Sequence, residues 1–387
     1  MASPLTEAST DDLPVYLDCA ATTPVDPRVL ETVYHYMAVD YGNAGSHTHV
    51  YGTRANRAVE NAREAIAAIA DARPDEVYFT SGATESNNLA ILGLAKAAEE
   101  AKKRHIVTTT IEHKAVLEPM QYLERQGFEV TYIMPAESGE VSATDVLAAV
   151  RDDTYLVSVM HVNNETGVIQ PLAEIAAGLK DHPAYLHTDA SQGFAKEYTE
   201  ITSRIDLISA SAHKIYGPKG VGCLITRRRR FKRPPIKPLI LGGNQERGLR
   251  SGTLPVSACA GFGRACEVLY TDHTAWLQQC TEVGQHLEKL FLSLDAQFNG
   301  DRHRKIPCIL NISLRDIDSD ALILSLRDQI AISNGSACTS TGTAPRHVLE
   351  SMRLSPSRIQ SATRWSWCHL TPLPPLTPLH NSISSLA

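Results

Sequence analysis

The chain has 387 residues, which is enough for about two domains with a buried core. Its 43% hydrophobic and 21% charged residues are typical of a globular protein, and its net charge of −6 gives no global attraction to nucleic acid or anionic membranes. No apolar run approaches the roughly 20 residues of a membrane span, and the polar N-terminus lacks the apolar core of a secretory signal. These features predict a soluble cytoplasmic protein, for which direct binding of nucleic acid or membrane is not expected.

The eight cysteines are scattered along the chain. They include no Cys-x-x-Cys pair and no Cys/His spacing suited to zinc, so no metal is expected. In a chain of this length, scattered cysteines indicate reduced thiols in a cytosolic compartment.

The first quarter of the chain predicts one short strand and two helices. Residues 13–17 form an apolar run that predicts a strand. Asp26 and Pro27 are typical of an N-cap and a first helical position, and they open an amphipathic helix that reaches about Val39. A longer helix is predicted over 53–72, where alanine and isoleucine side chains share one face.

From residue 76 onwards strands and helices alternate. Predicted strands cover 76–80, 105–110, 129–134, 154–160, 184–189 and 206–210, and predicted helices cover 85–103, 114–126 and 172–180. This alternation predicts an α/β fold with a mostly parallel sheet and helices on both faces. Because the ligands of such sheets bind at the carboxyl ends of the strands, the residues directly after each strand are the candidates for a site.

The alternation becomes irregular after Gly263, where helical stretches are predicted around 266–294. We expect residues 1–23 to join a second domain, 24–265 to form the large domain, 266–370 the small one, and 371–387 a proline-rich tail. The four prolines of the tail predict that no regular helix forms there, and the order of the tail stays open.

Five strand ends carry residues with useful chemistry. The turn at 80–86 contains a glycine and opens a helix, so its amides could bind a phosphate. His113 could stack on a ring and move protons, and the stretch 161–167 offers an amide that could donate to a phenolic oxygen. Asp189 ends an apolar strand and needs a cationic partner, such as a protonated pyridine nitrogen. Lys214, beside small residues, could form a Schiff base.

Each of these features is weak alone, because a capped turn, a structural histidine or a surface lysine is more common than a ligand site. Together they supply the groups that bind pyridoxal 5′-phosphate, whose lysine linkage and acidic partner for the ring nitrogen form a recognisable combination. The sequence therefore predicts a pyridoxal-phosphate enzyme.

The motifs also resemble those of a known family, the NifS/IscS-type cysteine desulfurases, which are fold-type I pyridoxal-phosphate enzymes. The resemblance runs from about residue 15 to 367. It is most specific in FTSGATESNN at 79–88, SAHKIYGPKG at 211–220, RSGT at 250–253 and SNGSACTS at 333–340. It implies a mainly parallel seven-stranded sheet with helices on both faces and a smaller α+β domain.

The resemblance also implies a role for individual residues. Lys214 would carry the cofactor as a Schiff base, His113 would stack on it and transfer protons, and Asp189 would face the ring nitrogen. Gln192 and Asn164 would face the phenolic oxygen. Four residues would bind the phosphate within the chain: Ala83, Thr84, Ser211 and His213. Thr253 would reach the phosphate across a homodimer interface. Arg364 would bind the substrate carboxylate, with Asn164 beside the substrate.

Cys338 is the implied nucleophile, and the small residues before it leave its thiol uncrowded. In this interpretation L-cysteine becomes L-alanine, and its sulfur moves to Cys338 as a persulfide and then to an acceptor protein. The resemblance leaves the acceptor open among iron–sulfur scaffolds, tRNA thiolation enzymes and DNA phosphorothioation proteins. Cys19 and Cys368 lie near recognised motifs but receive no role.

Two alternatives to this function remain at the level of sequence. The chain could be another fold-type I enzyme, such as a selenocysteine lyase or an aminotransferase, or a scaffold partner that retains the fold without the cofactor. The basic run at 227–233 is typical of a solvated loop, and docking of an acidic partner or nucleic acid is the alternative.

Overall fold

The computed structural model describes residues 13–334 and 347–386. In chain order, the strands are β1 (Val15–Tyr16), β2 (Val77–Thr80), β3 (His105–Thr109), β4 (Glu129–Ile133), β5 (Thr154–Ser158), β6 (Tyr185–Asp189), β7 (Leu207–Ser211), β8 (Gly222–Thr226), β9 (Gln297–Phe298), β10 (Ile309–Ser313), β11 (Ile330–Ala331) and β12 (Ala362–Ser366). The helices are α1 (Pro27–Ala38), α2 (Val50–Ile69), α3 (Ala83–Glu100), α4 (Lys114–Arg125), α5 (Ala143–Ala148), α6 (Leu172–Gly178), α7 (Val256–Thr271), α8 (His273–Ser293), α9 (Ser319–Leu326), α10 (His347–Ser351), α11 (Pro356–Gln360) and α12 (Leu376–Ser384).

The large sheet has seven strands in the order β2-β8-β7-β6-β5-β3-β4. The pairs from β4 through β3, β5, β6 and β7 are parallel, whereas β8 runs antiparallel to both of its neighbours. The predicted seven-stranded, mainly parallel sheet is therefore confirmed. Because β2, β3 and β5–β7 point the same way, their carboxyl ends meet at one edge.

Helices bury both faces of this sheet. On one face α3 and α4 pack their leucine, isoleucine and methionine side chains against Leu156, Leu207 and Leu224. On the other face α1, α2 and α7 contribute to the main core. All five residues of β7 and all five of β8 are buried, which explains why these strands have continuous apolar or small sequences.

Helix α7 begins at Val256, earlier than the helix predicted around 266, because its small residues allow close packing against α1 and α2. A Cβ added at Gly263 would lie 2.4 Å from the Cα of Ala62 in α2. The helix runs through residue 265, where the sequence placed the domain boundary. The division into domains remains a prediction.

A second layer forms around an antiparallel sheet in the order β12-β10-β9. Trp365 of β12 is buried and meets the ring of Phe291 from α8 edge-on, with 4.9 Å between centroids. The N-terminal strand β1 pairs in parallel with β11, and Leu17 N donates to the carbonyl of Ala331. Strand β1 therefore joins the C-terminal part of the fold.

The prediction that no regular helix forms in the proline-rich tail is wrong. Helix α12 covers Leu376–Ser384, with Pro375 at its N-cap and Pro378 in its first turn. Proline is tolerated there because the amides of the first turn have no acceptor within the helix. Leu379 and Ile383, four residues apart, are buried and attach the helix to α8 and α9.

Among the helices of residues 13–334 and 347–386, none combines the length and apolar character required to cross a membrane.

Candidate functional site

A cavity of about 590 Å³ opens at the edge where the parallel strands end. This volume lies in the range of pockets that bind small molecules. The cavity brings together most of the residues singled out from sequence, namely Ala83, Thr84, His113, Asn164, Asp189, Gln192, Ser211, His213 and Lys214. The cavity therefore lies where the sequence placed the candidate site, at the carboxyl ends of the parallel strands.

Lys214 lies on a 3-10 turn that follows β7 directly. Its Nζ donates to the carbonyl oxygens of Ala20 at 2.5 Å and Ala21 at 2.9 Å. The N-terminal segment is fixed here in turn, because Thr23 N donates to His213 O and Tyr216 N donates to Thr23 Oγ1, both at 2.9 Å. Sequence reasoning missed this contribution, since alanine carbonyls have no sequence signal.

Asp189 ends β6 with its carboxylate buried and held by donors on both oxygens. Asn87 Nδ2 donates to Oδ2 at 2.7 Å, while Ser191 donates to Oδ1 from its amide at 3.0 Å and from its hydroxyl. Behind it His187 bridges Ser158 and Ser209, and burial lowers the pKa of His187 to about 4. The carboxylate is therefore rigid and backed by a neutral ring, and it faces the cavity as an acceptor for a cationic group.

The N-terminus of α3 forms the anion-binding end of the cavity. Its N-cap is Gly82, which has no side chain to accept from the first-turn amides, so an external anion can take that place. Glycine is also required opposite, because a Cβ at Gly222 would lie 2.6 Å from the Cα of Gly82. This close approach brings β8 against the turn and keeps the amides of Ala83 and Thr84 on the cavity wall.

His213 borders the cavity as a neutral ring. Burial and the nearby charges of Lys214 and Lys219 lower its pKa to about 4. Its Nδ1 lies 3.1 Å from Thr22 Oγ1, which connects it to the same N-terminal segment that contacts Lys214. A hydrogen bond from this ring to an anion would not need a protonated imidazole.

His113 is the N-cap of α4, and its Nδ1 accepts from Ala115 N at 3.1 Å. This bond fixes the ring orientation and leaves the proton on Nε2. The preceding residue, Glu112, is fully buried, and burial raises its pKa to about 8. Its Oε1 accepts from Thr109 and from Met160 N, so it connects the ends of β3 and β5 below His113.

Two buried amide oxygens at the site have no hydrogen-bond partner within the described part of the chain. They are Oε1 of Gln192 and Oδ1 of Asn87. The other end of the Gln192 amide donates to Ala20 O at 2.8 Å, and that of Asn87 donates to Asp189. Buried polar atoms without partners are costly, and their position here indicates that a polar ligand completes the site. Asn87 lies within the FTSGATESNN motif, although the motif alone assigned it no role.

Arg364 does not line the cavity. It is fully buried one layer behind it, with Nη1 donating to the carbonyl of Asn164 at 3.1 Å and Nη2 to Asp18 Oδ1 at 2.7 Å. Since Asn164 does line the cavity, the arginine lies directly behind the wall. Its role toward a substrate carboxylate stays a prediction.

Of the two remaining predicted residues, one lies away from the cavity and the other is outside the described part of the chain. Thr253 is exposed and borders a separate cavity, lined also by Asn43, His47 and Arg247. Cys338, the predicted nucleophile, lies outside the described residues, which resume at His347. His347 Nε2 bonds to the carbonyl of Glu112 at 2.9 Å, so the chain on that side of the gap begins beside His113.

A lysine, a buried aspartate and an uncapped helix N-terminus around one cavity define an enzyme site of the fold-type I class. The family model for class-V aminotransferases matches residues 15–364, and the chain belongs to this family.

Its relatives narrow the class. The chain is 44% identical over 363 residues to the cysteine desulfurase IscS of Vibrio vulnificus, covering 93% of this chain and 89% of the relative. Among solved structures, a NifS-like protein superposes with a TM-score of 0.88 at 35% identity, covering 97% of this chain and all of the other. DndA from Streptomyces lividans superposes with a TM-score of 0.80 at 47% identity, covering 91% and 99%.

Proposed function

We propose that the protein is a pyridoxal-phosphate-dependent cysteine desulfurase that converts L-cysteine to L-alanine and transfers the sulfur to Cys338. The observation that carries the proposal is the convergence of Lys214, Asp189 and the uncapped N-terminus of α3 on one cavity. The identity to named cysteine desulfurases over most of the chain selects this reaction among those of the fold.

The residues present fit pyridoxal phosphate. The amides of Ala83 and Thr84, with Ser211 and His213, would hold the phosphate, and Asp189 would pair with the ring nitrogen. Gln192, whose amide oxygen has no partner among the described residues, and Asn164 would face the phenolic oxygen of the ring. When bound, the cofactor withdraws electrons from the substrate carbon joined to the amine.

The chain's own residues manage the proton. The Lys214 amine is held by the carbonyls of Ala20 and Ala21, and it takes the proton from the α-carbon of the substrate once it is released from them. The His113 ring is fixed by its bond to Ala115 N, so its Nε2 proton can be transferred to the carbon skeleton when the C–S bond of the substrate breaks. Asp189 would pair with a protonated ring nitrogen, because hydrogen bonds from Asn87 and Ser191 hold its carboxylate as an acceptor.

Sulfur transfer is assigned to the thiolate of Cys338. Its sulfur attacks the sulfur of the substrate, an S–S bond forms, and the C–S bond of the substrate breaks. The electron pair of that bond remains on the carbon skeleton, which takes up protons and leaves as alanine, while Cys338 keeps the persulfide. The persulfide then passes to the thiol of an acceptor protein.

The phosphate end of the site is completed by a second copy of the chain in this proposal. Thr253 is exposed and turned toward a cavity other than that of its own Lys214, which agrees with delivery to a partner subunit. The enzyme would act as a homodimer in the cytoplasm. The seven described cysteines are free thiols, as in a reducing compartment.

The proposal is tested with the purified protein and its Cys338→Ser variant. The visible spectrum of each is recorded, and L-cysteine is added with a reductant while alanine and sulfide are assayed together. We expect the wild type to absorb in the visible and to form both products in equal amounts. The variant should keep the absorbance and lose sulfide release, because serine cannot form a persulfide.

Cys266→Ala is the matched control, since Cys266 is a buried thiol of α7 that does not line the cavity. It should keep both products. A wild-type protein without visible absorbance would refute the cofactor assignment. Absorbance without sulfide would indicate another reaction of the same fold, and full sulfide release by Cys338→Ser would remove the nucleophile.

A further inference from the structure

The guanidinium of Arg364 is buried with a resident carboxylate already bound. Asp18 Oδ1 accepts from Nη2 at 2.7 Å, the carbonyl of Asn164 accepts from Nη1 at 3.1 Å, and Ser333 Oγ lies 3.4 Å from Nη2. The third donor, Nε, is buried and has no acceptor among the described residues. The guanidinium thus has one ion pair, and its Nε–H is not used by any described residue.

Asp18 is held by the backbone on both sides and has a route to water. The preceding residue, Leu17, donates to β11 and accepts from Ser366 N of β12, and Cys19 N donates to Ser366 O. The Asp18 side chain nevertheless retains 17% of its exposure, whereas Arg364 retains none. The carboxylate can therefore turn toward solvent and be hydrated, while the guanidinium cannot leave.

A second carboxylate cannot simply be added to this pair. The guanidinium carries one positive charge, so two carboxylates on it would leave a net negative charge in a buried place. If the first carboxylate turns away, the second inherits Nη2 and can also accept from Nε. Bidentate pairing of this kind is the strongest arrangement between arginine and a carboxylate.

We propose that Asp18 is a positioning and specificity residue, a resident carboxylate that the substrate carboxylate replaces on Arg364. This inference rests on the proposed function. Asp18 keeps the buried guanidinium neutralised and oriented while the cavity is empty. It also weakens the binding of ligands without a carboxylate, because such a ligand cannot replace Asp18 in the ion pair with Arg364. The site then selects a free α-carboxylate for two reasons: the carboxylate is attracted to the guanidinium of Arg364, and only a carboxylate can compete with Asp18 for it.

The test compares the wild-type holoenzyme with Asp18→Asn. The neutral amide removes the competing charge and leaves the guanidinium without a counter-ion, so a substrate carboxylate gains more from binding. The KM for L-cysteine and the dissociation constant for L-alanine, followed in the visible spectrum, should fall about three- to tenfold. The dissociation constant for L-alaninamide, which lacks the carboxylate, should not fall.

A thermal measurement supplies a second readout. The variant alone should melt below the wild type, and saturating L-alanine should raise its melting temperature by more than that of the wild type, because the ligand restores the missing counter-ion. Asp328→Asn is the matched control, since the Asp328 side chain is 90% exposed, and its ligand affinities should equal those of the wild type. If Asp18→Asn does not fold, Asp18→Ser removes the same charge with a smaller side chain.

An unchanged or weaker affinity of the neutral variants for L-alanine would overturn the exchange and leave Asp18 as a structural partner. An equal gain for L-alaninamide would overturn it as well, since the carboxylate would then not be the exchanged group. Either result, obtained with a wild type that forms alanine and sulfide, leaves the proposed function standing. A wild type without visible absorbance would instead refute the function itself.

Discussion

The two halves of the candidate site are built in different ways. The half at the edge of the large sheet consists of groups that the backbone places one after another at strand ends, and each already has its supporting bonds, as Asp189 and His113 show. The half contributed by the C-terminal layer centres on Arg364, which is buried behind the wall and bound to Asp18. In the proposed function the cofactor side is thus already arranged for binding, whereas the recognition side would have to exchange Asp18 for the substrate carboxylate.

This difference follows from what each half has to bind. A resident cofactor stays in place, so rigid donors and acceptors can be aligned on it permanently. A substrate enters and leaves in every cycle, and a buried arginine left without a counter-charge between cycles would be costly. In our proposal the ion pair with Asp18 supplies that counter-charge, and it also joins the N-terminal segment to Arg364.

The largest effect is expected on the cofactor side, from Lys214→Ala. Loss of the amine removes both the Schiff base and the proton acceptor, so visible absorbance of the covalent form should vanish and alanine formation should fall more than about a thousandfold. Spectra and alanine assays on the purified variant check this. Lys237→Ala, at an exposed position, serves as the control and should retain both. Retention of the absorbance by Lys214→Ala would break the comparison, because the lysine would then not hold the cofactor.

A smaller and different effect is expected on the recognition side, from Arg364→Lys. Lysine keeps the charge but loses the fork that binds a carboxylate in bidentate fashion. The KM for L-cysteine should rise about 10- to 100-fold, as expected for one or two lost charge-assisted hydrogen bonds, with little change in the visible absorbance. Steady-state kinetics and spectra measure the two quantities separately.

Arg327→Lys, on a largely exposed side chain, is the control for that exchange and should leave the KM unchanged. If Arg364→Lys loses the cofactor absorbance and keeps its KM, the two halves are not separable in the way that their geometry indicates.

Sequence reasoning was most successful where backbone pattern and chemistry coincide. Lys214, Asp189 and His113 follow buried strands directly, and the parallel sheet brings such positions to one edge, so their meeting in one cavity could be predicted. The hydrogen bonds from Lys214 to Ala20 and Ala21 could not be predicted, because they use carbonyl groups and depend on a long-range contact. The burial of Arg364 was also hidden, since a strand sequence does not reveal which layer covers it.

The basic run at 227–233 is a second case in which the sequence does not reveal which side chains are buried. It is predicted as a solvated loop from sequence, yet Arg227 is buried against the carbonyl of Ala70, and Arg229 pairs with Asp206 at 2.6 Å and lies over the ring of Tyr185. Only its second half, Arg230 to Arg233, is exposed, with Phe231 at 95%. Neutralising the whole run would therefore remove structural contacts as well as surface charge, and Arg230 is the substitution that isolates the surface.

The smallest effect on catalysis is expected from the tail, where Leu379→Ala leaves a cavity beneath α12. Leu379 is fully buried against the C-terminal layer, so the free energy of unfolding should fall by about 2–5 kcal/mol. Because α12 packs on α8 and α9 and not on the large sheet, cofactor absorbance should persist in the folded variant while its KM rises slightly. Leu373→Ala, at a half-exposed position of the same tail, should change stability by less than about 0.5 kcal/mol. Denaturant unfolding of both variants separates the outcomes: equal stabilities would mean that the tail helix adds nothing to the recognition side, and loss of the cofactor at unchanged stability would mean that the tail supports the other half.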